Sequence, residues 1–515
     1  MQAAIDQNRM SGGQMHSWLN NRIAVYWGVA LASVLLSLYR IAGKDLINGD
    51  GILYIRVAQA FLNEGAGAAF GIYHWPLYPF LIGLLHSITG LSLENSAGIL
   101  NTLFMMLACV FFVRIYEEIS GREARIWVAA ALVLALPVLN DYRELVIRGF
   151  GFWAFMLIAV YCFIQYSRSP GLMNALKWQL AILVATLFRV EGAAFIVFAP
   201  FFFLSIAGER RRLPGHLVRL NGLFLLLAVG AVPLLLLSGA VSLPASMEIP
   251  YQLEYFSPAA LLGAINTEAA AFFARNRFMA SVGEARLILL AGVVALVMVK
   301  VASNAGLAFL AVWGYGIRQK WFRLTRESGM VLYFAAIGFL SLVAVAGNFF
   351  FVSSRYTVLT VLLLSLISFQ YVDYLFRDLS RRRLYKWNAA AGVFILVLFL
   401  DGVISGSSSK LAIREAGNWA ASGITAEEKV ACNEARLEFY SADRCAWVRL
   451  AETDPAAAMP VIKDEGYTHV LFWIDRKNAG LRKLLEGDPA LLLEKEFPGI
   501  KGNTVRLYRI VPEAG

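Results

Sequence analysis

Ten apolar stretches follow one another between residues 23 and 405, at 23–41, 97–116, 126–140, 149–166, 178–207, 220–239, 286–316, 329–347, 355–375 and 388–405. Each is long enough, or nearly so, to cross about 30 Å of hydrocarbon as a helix. A lipid core leaves such a stretch no solvent for its backbone polar groups, so it must pair them internally. The mean hydropathy of +0.61, with only 16% charged residues, would force a soluble globular chain to expose large apolar patches. The chain therefore reads as an α-helical polytopic membrane protein.

The stretch 178–207 is too long for one crossing and carries Arg189-Val190-Glu191-Gly192 at its midpoint. It reads as two short helices with that tetrapeptide at the turn, which brings the expected count to about eleven transmembrane helices. Lys300 interrupts the run 286–316, which reads as one crossing. Segment 76–90 is short and begins with Pro76, so it reads as an interfacial helix in the first outer loop. The first 22 residues lack an apolar core and a small-residue cleavage site, so the first apolar segment reads as a retained signal-anchor and the arm before it as cytoplasmic.

Charge separates a tail from the membrane part. From Gly406 onward Lys and Arg number 15 against 16 Asp and Glu, so the net charge of +10 comes from residues 1–405. Those cations fall in short clusters between apolar segments. With the N-terminus inside, the inner loops collect 19 Lys and Arg and the outer loops up to Arg355 only 9, as the positive-inside rule requires. That distribution needs no nucleic-acid partner. The expected division is an arm at 1–22, a transmembrane domain at 23–405 with outer loops 42–96 and 140–148, and a soluble domain at 406–515.

The tail alternates helix-like and strand-like runs: Leu411–Ser422 at helical spacing, Lys429–Cys432 extended, a helix near Pro455–Glu465, then strands at Tyr467–Ile474, Leu491–Phe497 and Thr504–Val511. A small C-terminal α/β soluble domain fits. Cys109 and Cys162 lie in apolar segments and read as buried hydrophobes. Cys432 and Cys445 fall in the soluble domain; a disulfide between them would contribute on the order of 3 kcal/mol in an oxidising compartment.

The outer face gathers Asp45, Asp50, Tyr54, Arg56 and His74 in the first loop, Asp141, Arg143, Glu144 and Arg148 in the second, Arg189 and Glu191 at the third, and Arg355 at a later span. Carboxylates and arginines on one face suit a reaction in which a base activates a hydroxyl while cations hold a phosphate leaving group. Plainer roles compete at each position. Asp50 could cap the helix over Tyr54–Leu62, Glu144 could pair with Arg143 or Arg148, Arg189 and Glu191 could neutralise each other, and Arg355 could snorkel. No cofactor is indicated; the one hard-ligand set that folding could make for a divalent cation is Asp50 with Glu144 or Asp141.

The order of these features, a signal-anchor, Asp50-x-x-x-Tyr54, then Tyr73-His74-Trp75-Pro76-Leu77 leading an interfacial helix that ends at Gly90, resembles the GT-C superfamily of glycosyltransferases. Within it the chain is similar to the glycosyltransferase family 39-like branch of protein O-mannosyltransferases and the lipid A aminoarabinose transferase. The resemblance extends through Arg189-x-Glu191-Gly192 and Ser354-Arg355-Tyr356 to Ile413-Arg414-Glu415-Ala416-Gly417-Asn418-Trp419. It departs where Trp75-Pro76 stands for a pair of prolines and Gly149, after Arg148, for a second-loop carboxylate.

The resemblance implies transfer of a sugar from a polyprenyl-phosphate donor to an acceptor hydroxyl on protein, lipid A or polysaccharide, at the periplasmic face of the bacterial inner membrane and with inversion. It implies Asp50 as catalytic carboxylate, with Glu144, or less readily Asp141, as the second. Arg355, with Arg189 or Arg148, would bind the donor phosphate, and Tyr54 and His74 would support the first-loop motif. The rival expectation is a transporter or flippase of a lipid-linked sugar precursor, which would place ionisable groups near the midplane at paired broken helices.

Overall fold

The computed structural model describes residues 21–121, 125–227, 230, 257–276, 278–320, 325–404, 410–425, 427–448, 460, 462, 464–476 and 478–511. They divide into two compact units. One is helical and comprises residues up to Tyr39, Val57–Arg143 and Ile147–Ile404. The other joins Arg40–Arg56 and Glu144–Val146 to the chain from Ser405 onward. Two pieces of the segments expected as outer loops thus belong with the C-terminal domain.

Among the described residues six helices are long and apolar enough to cross a membrane: α1 (Arg22–Ala42), α2 (Leu93–Ser120), α3 (Gly149–Arg168), α4 (Val282–Ala305), α5 (Arg326–Phe349) and α6 (Val358–Arg381). The chain is a polytopic helical membrane protein. Helices α3 and α6 are its centre, 78% of each apolar window being buried, whereas α4 buries 22% and turns most of its surface outward. Local chemistry sets their starts. The Ser92 side chain accepts from the Asn95 N–H ahead of α2, and Thr325 and Ser328 form a reciprocal capping box at α5.

The expected pair of short helices within 178–207 is present as α7 (Leu172–Phe188) and α8 (Gly192–Phe198), the latter continued by a 3-10 stretch to Ser205. Segment 77–89 is a helix, with Pro76 at its start and Gly90 left-handed at its end. Two expected spans are corrected. The run 126–140 is helical only over Ile126–Leu134, and Pro137, which has no N–H to continue the ladder, opens a separate turn over Pro137–Asn140. The run 286–316 breaks at Gly306, whose φ of 84° ends α4 and starts a second helix over Leu307–Arg318. The expected span 220–239 begins as Leu213–Leu226, and its remainder lies almost wholly outside the described residues.

The second unit holds a five-stranded sheet in the order β2-β1-β3-β5-β4, with β1 (Val430–Cys432), β2 (Cys445–Trp447), β3 (His469–Ile474), β4 (Leu491–Pro498) and β5 (Thr504–Ile510). Strand β1 runs parallel to β2 and β3, while β5 is antiparallel to β3 and β4. Every residue of β3 is buried, as its continuous apolar run implies for a strand covered on both faces. One face packs on the helix Leu411–Gly423 through Ile413, Ala416 and Ala420; the other includes Phe472, Leu481 and Leu485. The expected helix near 455–465 lies largely outside the described residues. Cys432 and Cys445 stand on adjacent strands in the first core, both buried and both thiols in the reduced form that this structure shows. The hydrogen bond to Cys445, then burial, pushes the Cys432 thiol well above its ordinary value.

Candidate functional site

The charged turn between α7 and α8 is built around a close approach. A Cβ at Gly192 would lie 2.5 Å from Thr186 Oγ1 and 2.9 Å from the Thr186 Cα, so only glycine lets the chain fold back so tightly. The turn closes through Gly192 N–H donating to Arg189 O at 3.1 Å and Ala193 N–H to Val190 O at 2.9 Å. It points Arg189 inward, where the residue is 5% exposed.

Arg189 Nε donates to Glu191 Oε1 at 3.1 Å, and one Nη donates to the same oxygen. Its guanidinium carbon lies 4.3 Å from the centre of the Tyr356 ring and 5.4 Å from that of Phe152. Arg355 lies over the same Tyr356 ring at 5.5 Å. The 3-10 turn Ser354–Tyr356 that carries both is held by Asn304, whose amide donates to Ser354 O at 2.7 Å and Thr357 Oγ1 at 2.6 Å. Arg148, at the start of α3, lies over the Tyr73 ring at 5.5 Å. Burial raises the Glu191 pKa, but the charge and hydrogen bond of Arg189 and the charge of Arg148 outweigh it and hold the carboxyl below its ordinary value.

Arg189, Glu191 and Tyr356 line a narrow, partly open cleft whose water-accessible space is about 20 Å³. The rest of its lining is mostly apolar, with Phe152, Phe195, Leu342, Val345 and Leu359. A cationic end beside apolar walls has the polarity division of an amphiphile with an anionic head.

The second-loop residues divide. Arg143, expected as a charged loop residue or a partner for Glu144, is buried at 2% exposure. It donates to Asn140 Oδ1 at 2.8 Å, Ser33 O at 3.0 Å and Ser37 Oγ at 2.7 Å, tying the loop to α1. Burial, then the charge of Asp141, raises the Tyr142 pKa, while Arg355 opposes both; Asp141 and Arg355 thus act on one phenol. His74 lies in the turn before the helix Leu77–Thr89, next to Trp75, whose Nε1–H donates to Thr186 O at 3.1 Å.

Asp50, Tyr54 and Glu144 belong to the second unit. Asp50 is in the first turn of the helix Gly49–Glu64, and Ile52 N–H donates to Asn48 O at 3.1 Å. The Asn48 side chain donates to Val146 O at 3.1 Å and accepts from Val146 N–H at 2.7 Å, a two-bond latch. Glu144 pairs with Arg40 at 2.8 Å, which corrects the expected pairing with Arg143 or Arg148. Tyr54 is buried at 5% exposure. Ile47 N–H donates to Tyr440 Oη at 2.9 Å, and Arg56 pairs with Glu438 at 2.8 Å and Asp443 at 2.7 Å.

Of the expected donor-phosphate residues, Arg189 and Arg355 lie over one ring, that of Tyr356, while Arg148 lies over Tyr73 and its charge acts on Glu191. Among the described residues no three His, Cys, Asp or Glu come together as a metal site. Sequence reasoning gave Tyr356 no role. Its signal was an aromatic directly after an arginine at the start of a span, where stacking on a guanidinium is geometrically available. Arg40 was passed over because a basic residue in the last turn of a first span is ordinary.

No protein-family model matches the chain, and no curated protein matches it in sequence. Solved structures do. ArnT from Cupriavidus metallidurans bound to undecaprenyl phosphate superposes with a TM-score of 0.52 at 13% identity, covering 94% of this chain and 97% of that one. The archaeal oligosaccharyltransferase AglB from Archaeoglobus fulgidus, in complex with an inhibitory peptide and a dolichol-phosphate, superposes with a TM-score of 0.53 at 12% identity, covering 93% and 74%. The chain therefore shares the fold of these two structures, a GT-C fold.

Proposed function

We propose that this protein is a membrane glycosyltransferase that takes a sugar from a polyprenyl-phosphate donor and passes it, with inversion, to an acceptor hydroxyl at the periplasmic face of the bacterial inner membrane. The observation that carries the reading is the cleft of the helical unit. Arginine is its charged end, Tyr356 and Phe152 hold that arginine from the ring side, and apolar side chains form most of its walls. A lipid phosphate has the same division, an anionic head on a hydrocarbon chain, and guanidinium groups suit phosphate oxygens. That undecaprenyl phosphate and a dolichol-phosphate occur in structures of the same fold supports the choice of anion.

In the proposed reaction Asp50 accepts the acceptor's hydroxyl proton as its oxygen bonds to the sugar's anomeric carbon. The bond from that carbon to the phosphate oxygen breaks, and the electron pair leaves with the lipid phosphate. Arg189 and Arg355, with Arg148, stabilise the charge that grows there. Glu144 is the weaker candidate for a second carboxylate, since Arg40 already engages it; Asp141 shares the electrostatic environment of Tyr142 with Arg355.

The test is transfer from a labelled polyprenyl-phosphate sugar by the protein in lipid nanodiscs, with the acceptor class found from the mass that surface glycans, lipid A or proteins lose when the gene is deleted. Asp50→Asn should fold normally and lose about 10²- to 10⁴-fold in rate, the span of a general base. Near wild-type transfer by Asp50→Asn would remove Asp50 from the chemistry.

A further inference from the structure

We infer that Glu191 is a built-in competitor for the lipid phosphate: by holding the donor edge of Arg189 it limits how tightly the anion is bound and speeds departure of the product. The identity of the anion rests on the donor reading above. The competition itself rests on the geometry of three residues.

Arg189 presents Nε and one Nη to a single oxygen of Glu191. That edge is one of the two with which a guanidinium can bind a phosphate through two parallel hydrogen bonds. The group has little room to turn its other edge forward, because its central carbon lies 4.3 Å from the Tyr356 ring centre and 5.4 Å from that of Phe152 and the residue is 5% exposed. Glu191 lines the same cleft, so an anion arriving there meets the carboxylate and the guanidinium together. It must displace Glu191 from Arg189 or accept its repulsion. Arg148 also acts on Glu191, which gives the displaced carboxylate a second cation to face.

The arrangement answers two needs. A buried guanidinium without a counterion is costly, and Glu191 keeps Arg189 paired between turnovers. An enzyme whose product carries the same phosphate as its donor gains nothing from binding that phosphate equally tightly throughout, and product release then limits the rate. A carboxylate that returns to Arg189 after bond cleavage counters that trap.

The test compares the full-length protein in nanodiscs with Glu191→Gln, Arg189→Gln and the double variant, titrating a long-chain polyprenyl phosphate and following binding by native mass spectrometry. The amide of Gln keeps the shape and can still accept from Arg189, so folding should persist. Glu191→Gln should bind the lipid phosphate about tenfold more tightly, within the usual range of coupling between two sites, and kcat should fall more than kcat/KM for the donor. Arg189→Gln should bind more weakly, and the double variant should lose the gain. If the wild type binds polyprenyl phosphate and Glu191→Gln binds it equally or less well, Glu191 is a supporting counterion and the inference fails alone. If neither protein binds it, the donor reading fails and takes the inference with it.

Discussion

Tyr356 shows how much of the candidate site hangs on one side chain. Two guanidiniums lie over its ring, Arg189 at 4.3 Å and Arg355 at 5.5 Å, and each cation–π contact is worth about 0.5–2 kcal/mol depending on desolvation. If the ring is what matters, Tyr356→Phe should keep lipid-phosphate binding near the wild-type level, while Tyr356→Leu should weaken it about tenfold, the equivalent of about 1.4 kcal/mol. Equal losses in both variants would assign the effect to the hydroxyl instead. Legibility at this scale was uneven. Arg189, Glu191 and Arg355 stood out because a charge in an apolar run is rare and costly. Arg143 and Arg148 looked alike in sequence, yet Arg143 is sealed among Asn140, Ser33 and Ser37, and only the packing of α1 against its loop distinguishes them. Glu144 found Arg40, a partner 104 positions away that no local spacing rule reaches.

At the scale of elements, the break between α7 and α8 was legible because two charges and a glycine interrupted a run too long for one span. The break at Gly306 was not, since a lone glycine in an apolar run reads equally well as a packing contact; its positive φ decides the matter. Short elements were missed for lack of period: β2 and the helix Ala435–Tyr440 are too brief to repeat a pattern. The break that was legible carries a test. Gly192→Ala would drive a Cβ against Thr186, and the Thr186 backbone nitrogen at 2.9 Å cannot give way as a flexible side chain could. The turn must open, costing about 1–3 kcal/mol. The expected outcome is a lower thermal midpoint together with weaker lipid-phosphate binding, because the same turn aims Arg189. Gly171→Ala, where the nearest atom is 4.0 Å away, is the control and should change neither. A normal midpoint with normal binding in Gly192→Ala would show that the approach at Thr186 is slack.

Over the whole molecule the distribution of charge argues for sidedness. Arg210, Arg211 and Arg212 cluster between spans, as do Arg381, Arg382 and Arg383, and the positive-inside rule retains such clusters on the cytoplasmic side. The turn at Arg189 and the C-terminal domain are then expected on the opposite side, where thiols meet oxidants. Cys432 and Cys445, both fully buried, would have to react before their core closes, each giving up a proton and together two electrons to a disulfide-bearing oxidant by thiol–disulfide exchange. The expected outcome is a linked pair of peptides containing residues 432 and 445 when the protein is alkylated under denaturing conditions without reductant. A reporter enzyme active only outside the cytoplasm should be active when fused after residue 511 and silent when inserted after Arg383. An active reporter after residue 511 with two alkylated thiols would keep the sidedness and reject the disulfide; a silent reporter there would reject the sidedness, and with it the periplasmic site of transfer.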